Sequence, residues 1–329
     1  MSHKAVVRHG FLWGVIGLLG FAFSACAGEN FKEENPFPES SQADIIVQDK
    51  SGTDFLGVLA SYQGMNDRLE RVSAPLRLAN VELCPKTFRD PGFTTHILDD
   101  YPERLRGMAR DVLNLSPEAI YVRRVRPGSP AERADIQAGD QVVSLNGRVI
   151  PSGLTMDRFY AALSRDAFGG TKTRLTLKTP KGDHYDTSLQ PQTACDYDAS
   201  VFYSEEVNGH TDGEEIFISS GLMQFVPDDN SLAMIVAHEM GHAIAGHINQ
   251  RPTAELELEA DRMALVLMAN AGYDIAVAIN YWAKAVHPHR KLQDNSESHP
   301  SIEARHENFQ KEHVRILSLS ERDETLGFQ

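Results

Sequence analysis

The sequence predicts an α+β chain: a mainly helical domain with a short sheet, interrupted by an inserted β-rich module. Three observations carry this reading. Apolar residues recur every three or four positions on either side of the middle of the chain, from Leu56 to Val72 and again from Leu232 to Ile248. Between these stretches the period shortens, and short apolar runs are separated by turn sequences such as Pro127-Gly128-Ser129-Pro130 and Asn146-Gly147. Cys84 and Cys195 bracket the region where the period changes.

Residues 1–26 are expected to be an export signal rather than part of the fold. Lys4 and Arg8 open it, and the apolar run from Gly10 to Phe23 is too short for the roughly 20 residues a bilayer span needs. Phe23-Ser24-Ala25-Cys26 then resembles the lipobox of bacterial lipoproteins, which implies that Cys26 becomes the acylated N-terminus. Ala27 and Gly28 carry no Asp resembling an inner-membrane retention signal, so the expectation is an exported, lipid-anchored protein on the periplasmic side of the envelope, at the outer membrane. In that oxidising compartment the two remaining cysteines, Cys84 and Cys195, are expected to pair.

Residues 27–50 are polar and proline-bearing and read as a flexible tether. Residues 51–84 form an amphipathic helical segment, carried by Leu56, Leu59, Tyr62, Met65, Leu69 and Val72, which Pro75 ends or kinks. Its apolar stripe is expected to pack on the carboxy-terminal domain, residues 195–329. Acidic residues outnumber basic ones 46 to 32, for a net charge of −14. That balance argues against nucleic acid and against direct binding to anionic lipid, leaving the anchor as the only membrane contact.

Within residues 85–194, strands are expected at Ala119–Val125, Gln141–Leu145, Thr171–Thr179 and Tyr185–Leu189, with a helix over Met156–Ser164. The run from Val125 to Asp140, continued by Val142-Val143-Ser144-Leu145-Asn146-Gly147, resembles the PDZ domains of bacterial envelope proteases. By that resemblance a peptide, often a free C-terminus, adds as a strand beside the Met156–Ser164 helix. Asp90-Pro91-Gly92-Phe93 then stands as the candidate carboxylate-binding turn.

The chemistry lies in His238-Glu239-Met240-Gly241-His242. Two histidines four apart share one helix face, close enough for two imidazoles to hold one zinc ion. The periodicity predicts a helix over Ser231–Asn249, and Gln250-Arg251-Pro252 breaks it before a second helix beginning at Thr253. At about 1.5 Å of rise per residue, an antiparallel return brings Glu257 level with His242. Glu255 and Glu259 are the competing acids; Glu257 is preferred because Asp261 follows it by four residues on the same face, placed to fix a histidine tautomer. His247 falls off the ligand face of a continuous helix.

His238-Glu239-x-x-His242 followed by Glu257-Leu258-Glu259-Ala260-Asp261 resembles the H-E-x-x-H…E-x-x-A-D pattern of the HtpX and CAAX-prenyl-protease family of zinc endopeptidases. Ile216 to Leu222 is similar to that family's strand and glycine turn, and Ser298-His299-Pro300 with Arg305 to its C-terminal H-P…R segment. The resemblance implies a zincin-type protease domain with one Zn²⁺ per chain, held by His238, His242 and Glu257. It implies Glu239 as catalytic base, with His299 and Arg305 acting near the metal. The expected substrates are unfolded or flexible polypeptides, binding as an added strand at an edge around Glu215–Ser219 and recruited through their C-termini by the PDZ module. The competing readings are a PDZ adaptor or chaperone-like lipoprotein with a structural or latent zinc site, and hydrolysis of a non-protein envelope polymer.

Overall fold

The computed structural model describes residues 55–117, 119–151, 153, 158–159, 162, 172–286 and 300–321. Residues 1–50, expected to hold the export signal with Cys26 and the tether, lie outside the described residues, as do most of the expected Met156–Ser164 helix and His299.

Helix α1 spans Phe55–Ala79 and continues past Pro75. Proline removes one backbone donor from the ladder, so its survival inside the helix needs compensation from packing. Leu69, Val72 and Leu76 supply it, each fully buried in the main core. Just beyond the helix, the Asn80 side-chain amide donates to the Leu76 carbonyl at 2.8 Å and to the Leu267 carbonyl at 3.0 Å. Tertiary contacts have overridden the local helix breaker.

The first half of α1 meets a different partner. Leu59 is buried with Tyr101, Ala109, Leu115 and Tyr121. Ala109 belongs to helix α2, Glu103–Leu113, which ends on Asn114 in the left-handed region at φ 54°. The sequence signals for α2 are a proline just before its start and an asparagine at its end, and they are weak beside the strand pattern that follows. One helix, α1, therefore packs against both parts of the chain.

In the inserted module, β1 (Thr87–Asp90) pairs antiparallel with β8 (Gln192–Cys195), from Thr87↔Cys195 to Asp90↔Gln192. This pairing closes the base of the module, and the Cys84–Cys195 disulfide lies beside it, joining residues 111 apart. The main sheet has the order β2-β3-β4-β6-β7, with every neighbouring pair antiparallel. Its strands are Phe93–His96, Tyr121–Val125, Gln141–Leu145, Thr173–Lys178 and His184–Leu189; β5, Arg148–Val149, pairs with β4. Phe93, Val122, Ile136, Phe159, Leu175 and Leu177 fill the space beneath. The four-residue helix α3, Pro130–Arg133, starts with proline after the Ser129 cap.

The carboxy-terminal domain has a three-stranded sheet in the order β10-β11-β9, formed by Gly209–Thr211, Glu215–Ser219 and Asp198–Phe202. Here the structure departs from expectation. Glu215–Ser219 is the central strand, parallel to β9 and antiparallel to β10, so it offers no edge for a substrate. The reason is a hairpin too short to show any alternation in the sequence. The Asp212 carboxylate accepts the Glu214 and Glu215 N–H groups, each at 2.8 Å, and Gly213 takes φ 88°. The edges are β9 and β10.

Helix α4, Ser220–Phe225, follows β11 directly. A Cβ on Gly221 would stand 2.4 Å from the Glu205 carbonyl oxygen, so only glycine allows this close passage of two backbones. Helices α5 (Asp229–Ala245), α6 (Ala254–Asn270), α7 (Ile275–Val286) and α8 (Ile302–Glu321) complete the domain. No described helix is long and apolar enough to cross a membrane.

Candidate metal centre

Helix α5 begins where Asp228 accepts the Ser231 N–H at 2.9 Å, and it is buried along almost all of its length. It ends at Ala245, four residues before the periodicity runs out, because Gly246 adopts the left-handed conformation at φ 69°. Thr253 caps α6, which returns antiparallel to α5. The two helices cross at Gly241, where an added Cβ would lie 3.2 Å from the Ala260 carbonyl oxygen. The glycine between the two histidines lets the helices approach closely enough for a side chain of α6 to reach those of α5.

That side chain is Glu257. His238 Nε2 and His242 Nε2 stand 3.1 Å apart. Glu257 Oε2 is 3.5 Å from His238 Nε2, and Glu257 Oε1 is 3.4 Å from His242 Nε2. Donors about 2.1 Å from a tetrahedral centre are separated by about 3.4 Å, so this triangle has the dimensions of three zinc ligands. Among the described residues these are the His, Cys, Asp and Glu side chains that converge in this way. Two neutral imidazoles and one carboxylate, all buried, fit a divalent metal.

Electrostatics prepares the same point. Burial strongly opposes charge on His238, yet hydrogen bonding and charge from Asp261 and Glu257 outweigh it and hold the imidazole up at about 9. Burial also opposes ionisation of Glu257, but the two histidines and Arg305 keep its carboxyl well below the usual range. Glu239, next to His238 on α5, is buried and is pushed up by burial to about 8, against the pull of His238. It lines a cavity of about 20 Å³ together with His242, His247 and Thr211. That is room for about one water molecule.

Behind His238, Asp261 Oδ1 lies 3.0 Å from Nδ1. Asp261 is gripped in turn by Arg305, through Nε at 2.8 Å and Nη2 at 2.5 Å. The guanidinium also lies 5.1 Å from the Trp282 ring centre. The structure thus places Arg305, expected to act at the metal, one step behind it as the buried counter-ion of Asp261. Breaking such a pair strands a buried charge. Arg305→Met is expected to cost about 3 kcal/mol, read as a fall in the urea midpoint, whereas a surface pair would give less than about 1 kcal/mol.

His247 is not among the ligand atoms, but neither does it point away. Because the helix stops at Ala245, the Gly246 turn brings His247 inward, to where its Nδ1 stands 3.0 Å from His242 Nδ1. A helical projection carried past residue 245 misplaces it; the signal that locates it is the glycine immediately before it. The Asp90-Pro91-Gly92-Phe93 turn also differs from expectation. Asp90 itself accepts the Gly92 N–H at 2.8 Å and pairs with Arg126 at 2.5 Å, so a donor expected for a peptide carboxylate is already used. A cavity of about 420 Å³ lies away from the metal centre, between α1, β2 and β9.

A helix pair carrying a buried His-His-Glu centre with an adjacent carboxylate, joined to a small antiparallel module, fits a metal-dependent hydrolase with an added β-rich module. The comparisons agree on both parts. Residues 187–256 match the family model of peptidase family M48, and residues 121–179 match that of the PDZ domain. Each match spans only part of the chain; together they support a metallopeptidase related to family M48 with an inserted PDZ-like domain. Its similar solved structures include the HtrA3 PDZ domain bound to a phage-derived ligand, at 23% identity and TM-score 0.24, covering 32% of this chain and 88% of that one. Another is a PDZ domain protein from Parabacteroides distasonis, at 15% identity and TM-score 0.25, covering 33% of this chain and 21% of that one. A third is the PDZ domain of a carboxy-terminal protease from Vibrio cholerae in complex with peptide, at 12% identity and TM-score 0.21, covering 32% and 96%. No curated protein matches the chain.

Proposed function

We propose that this chain is a zinc-dependent endopeptidase of the bacterial cell envelope, lipid-anchored through Cys26, that cleaves unfolded or flexible polypeptides recruited by its PDZ module. The observation that carries the reading is the ligand triangle with Glu239 buried on the wall of the adjoining cavity. A structural metal site has no use for a buried acid there. Zinc held by His238, His242 and Glu257 would supply Lewis acidity, lowering the pKa of a bound water to about 7 and polarising the scissile carbonyl.

The chain's own residues account for the remaining chemistry. Glu239 takes a proton from the attacking water and returns it to the leaving amine as the C–N bond breaks. Asp261, held by Arg305, keeps the His238 ring in place with its Nε2 toward the ligand point. An extended substrate is expected to add to the β10 edge, because Thr211 of that strand lines the cavity beside Glu239. On the module, β2 is an edge strand whose residues face the larger cavity, and an incoming peptide is expected there.

The test is cleavage of casein by protein lacking residues 1–26, with chelator, then with zinc restored, beside His238→Ala. Chelator-sensitive cleavage that zinc restores, and that His238→Ala lacks, is the expected result. Chelator-resistant cleavage would overturn the zinc reading.

Metal uptake should also release protons. At pH 7 the metal-free centre holds a proton on His238 (about 9), whose Nε2 is a ligand atom, and one on Glu239 (about 8), which an incoming cation favours in its ionised form. Zinc loading in weak buffer is therefore expected to release between one and about two protons per chain, with affinity falling as pH drops. Release of none would contradict the assigned ligands.

A further inference from the structure

The two histidine ligands are backed differently. His238 Nδ1 meets a carboxylate directly, Asp261 at 3.0 Å. His242 Nδ1 meets another imidazole, His247 Nδ1, at 3.0 Å, and His247 Nε2 lies 3.4 Å from Glu259 Oε2. His247 is buried, at 4% exposure. We propose that His247 and Glu259 are the positioning residues of His242, forming a directed chain Glu259–His247–His242 that does for the second ligand what Asp261 does for the first.

The direction follows from the ligand geometry, and the proposal rests on the metal reading above. If His242 presents the lone pair of Nε2 to the metal, its proton sits on Nδ1. Nδ1–H then donates to His247 Nδ1, which must be the bare nitrogen. The proton of neutral His247 therefore sits on Nε2, which faces Glu259. Each nitrogen in the chain has one possible role. A ligating histidine with its second N–H held in this way is fixed in tautomer and ring orientation.

Helix α6 supplies all three acids of this arrangement. Glu257 reaches the metal point, Asp261, one turn on, backs His238, and Glu259, between them on another face, backs His247. Glu259, a rival of Glu257 for the ligand place by sequence, has its own position in the centre. Its side chain is 31% exposed, so water can replace part of what it does and its removal should matter less than that of His247.

The test is zinc affinity by competition with a chromophoric chelator, on the full exported chain. His247→Phe keeps a ring but no acceptor and is expected to weaken zinc binding ten- to a hundredfold. His247→Asn returns an oxygen near the Nδ1 position and is expected to recover affinity to within about threefold of wild type, with Glu259→Ala losing about threefold. Wild-type affinity in His247→Phe, while Asp261→Asn is weakened, would overturn the proposal. A merely structural His247 would lower the thermal midpoint of the metal-free variants without separating Phe from Asn in zinc affinity.

Should His247→Phe not fold, ¹⁵N imidazole spectra of the zinc-loaded wild type decide. His242 is expected with its proton on Nδ1 and His247 with its proton on Nε2; a His247 proton on Nδ1 would refute the chain. Failure of wild type to bind zinc at all would instead refute the underlying metal reading.

Discussion

Replacing Glu239 by glutamine should reduce casein cleavage on the order of a thousandfold or more while leaving one zinc bound per chain. A positioned general base contributes about 10²–10⁴ to such a reaction. Glutamine keeps the volume and the polar contacts of glutamate but cannot take a proton from water and pass it to the leaving amine. Glu239 is buried, with its carboxyl pushed up by burial to about 8 in the metal-free centre. Among the described residues the ligand triangle is formed by His238, His242 and Glu257 and does not include Glu239, so metal content should be unaffected. Cleavage rate and zinc content, measured on the same preparation, check both halves. More than about a tenth of wild-type activity would exclude Glu239 as the base, since even the smallest effect of such a group is about a hundredfold.

Removing the Cys84–Cys195 crosslink, by a double serine variant, is expected to cost about 4–5 kcal/mol. In the chain-entropy model a closed loop of about 100 residues restricts the unfolded ensemble by that amount, and this bond joins residues 111 apart. The bond sits where the chain leaves the carboxy-terminal core and where it returns. Cys84 follows the turn after α1, and Cys195 ends β8, paired to Thr87 of β1. The native state should keep its fold, because the β1–β8 ladder and the buried face of α1 still close the loop. Urea unfolding of variant and wild type should show a lower midpoint. Its slope should be steeper, since the unfolded chain exposes more surface once the crosslink is gone. A loss under about 1 kcal/mol would mean that the unfolded state stays closed without the bond.

Much of the centre was legible because its residues obey helical arithmetic. His238 and His242 share a face by their spacing alone, and the broken connection at Gln250-Arg251-Pro252 returns Glu257 to their level. Asp261 follows by the same rule and lies beside His238 as the spacing implies. The cysteines could be paired from compartment logic and number. Where those regularities stop, the reading failed. Pro75 was expected to end or kink α1, yet the helix continues past it with buried neighbours on both sides. Glu215–Ser219 was an edge until a three-residue strand, too short to alternate, covered it.

Residue type and spacing within one element were enough to bring His238, His242 and Glu257 together as candidate ligands, to set Glu239 beside them, and to mark where the inserted module begins to differ from its host. These are properties of residue type and of spacing within one element, and local geometry is enough to read them. What stands behind the ligands was set by packing between elements. His247 reaches His242 because a glycine ends the helix, Arg305 reaches Asp261 from a helix 44 residues further along the chain, and Asp90 fills its own turn. Those contacts join groups that no single period connects, and they exist only once separate elements have packed.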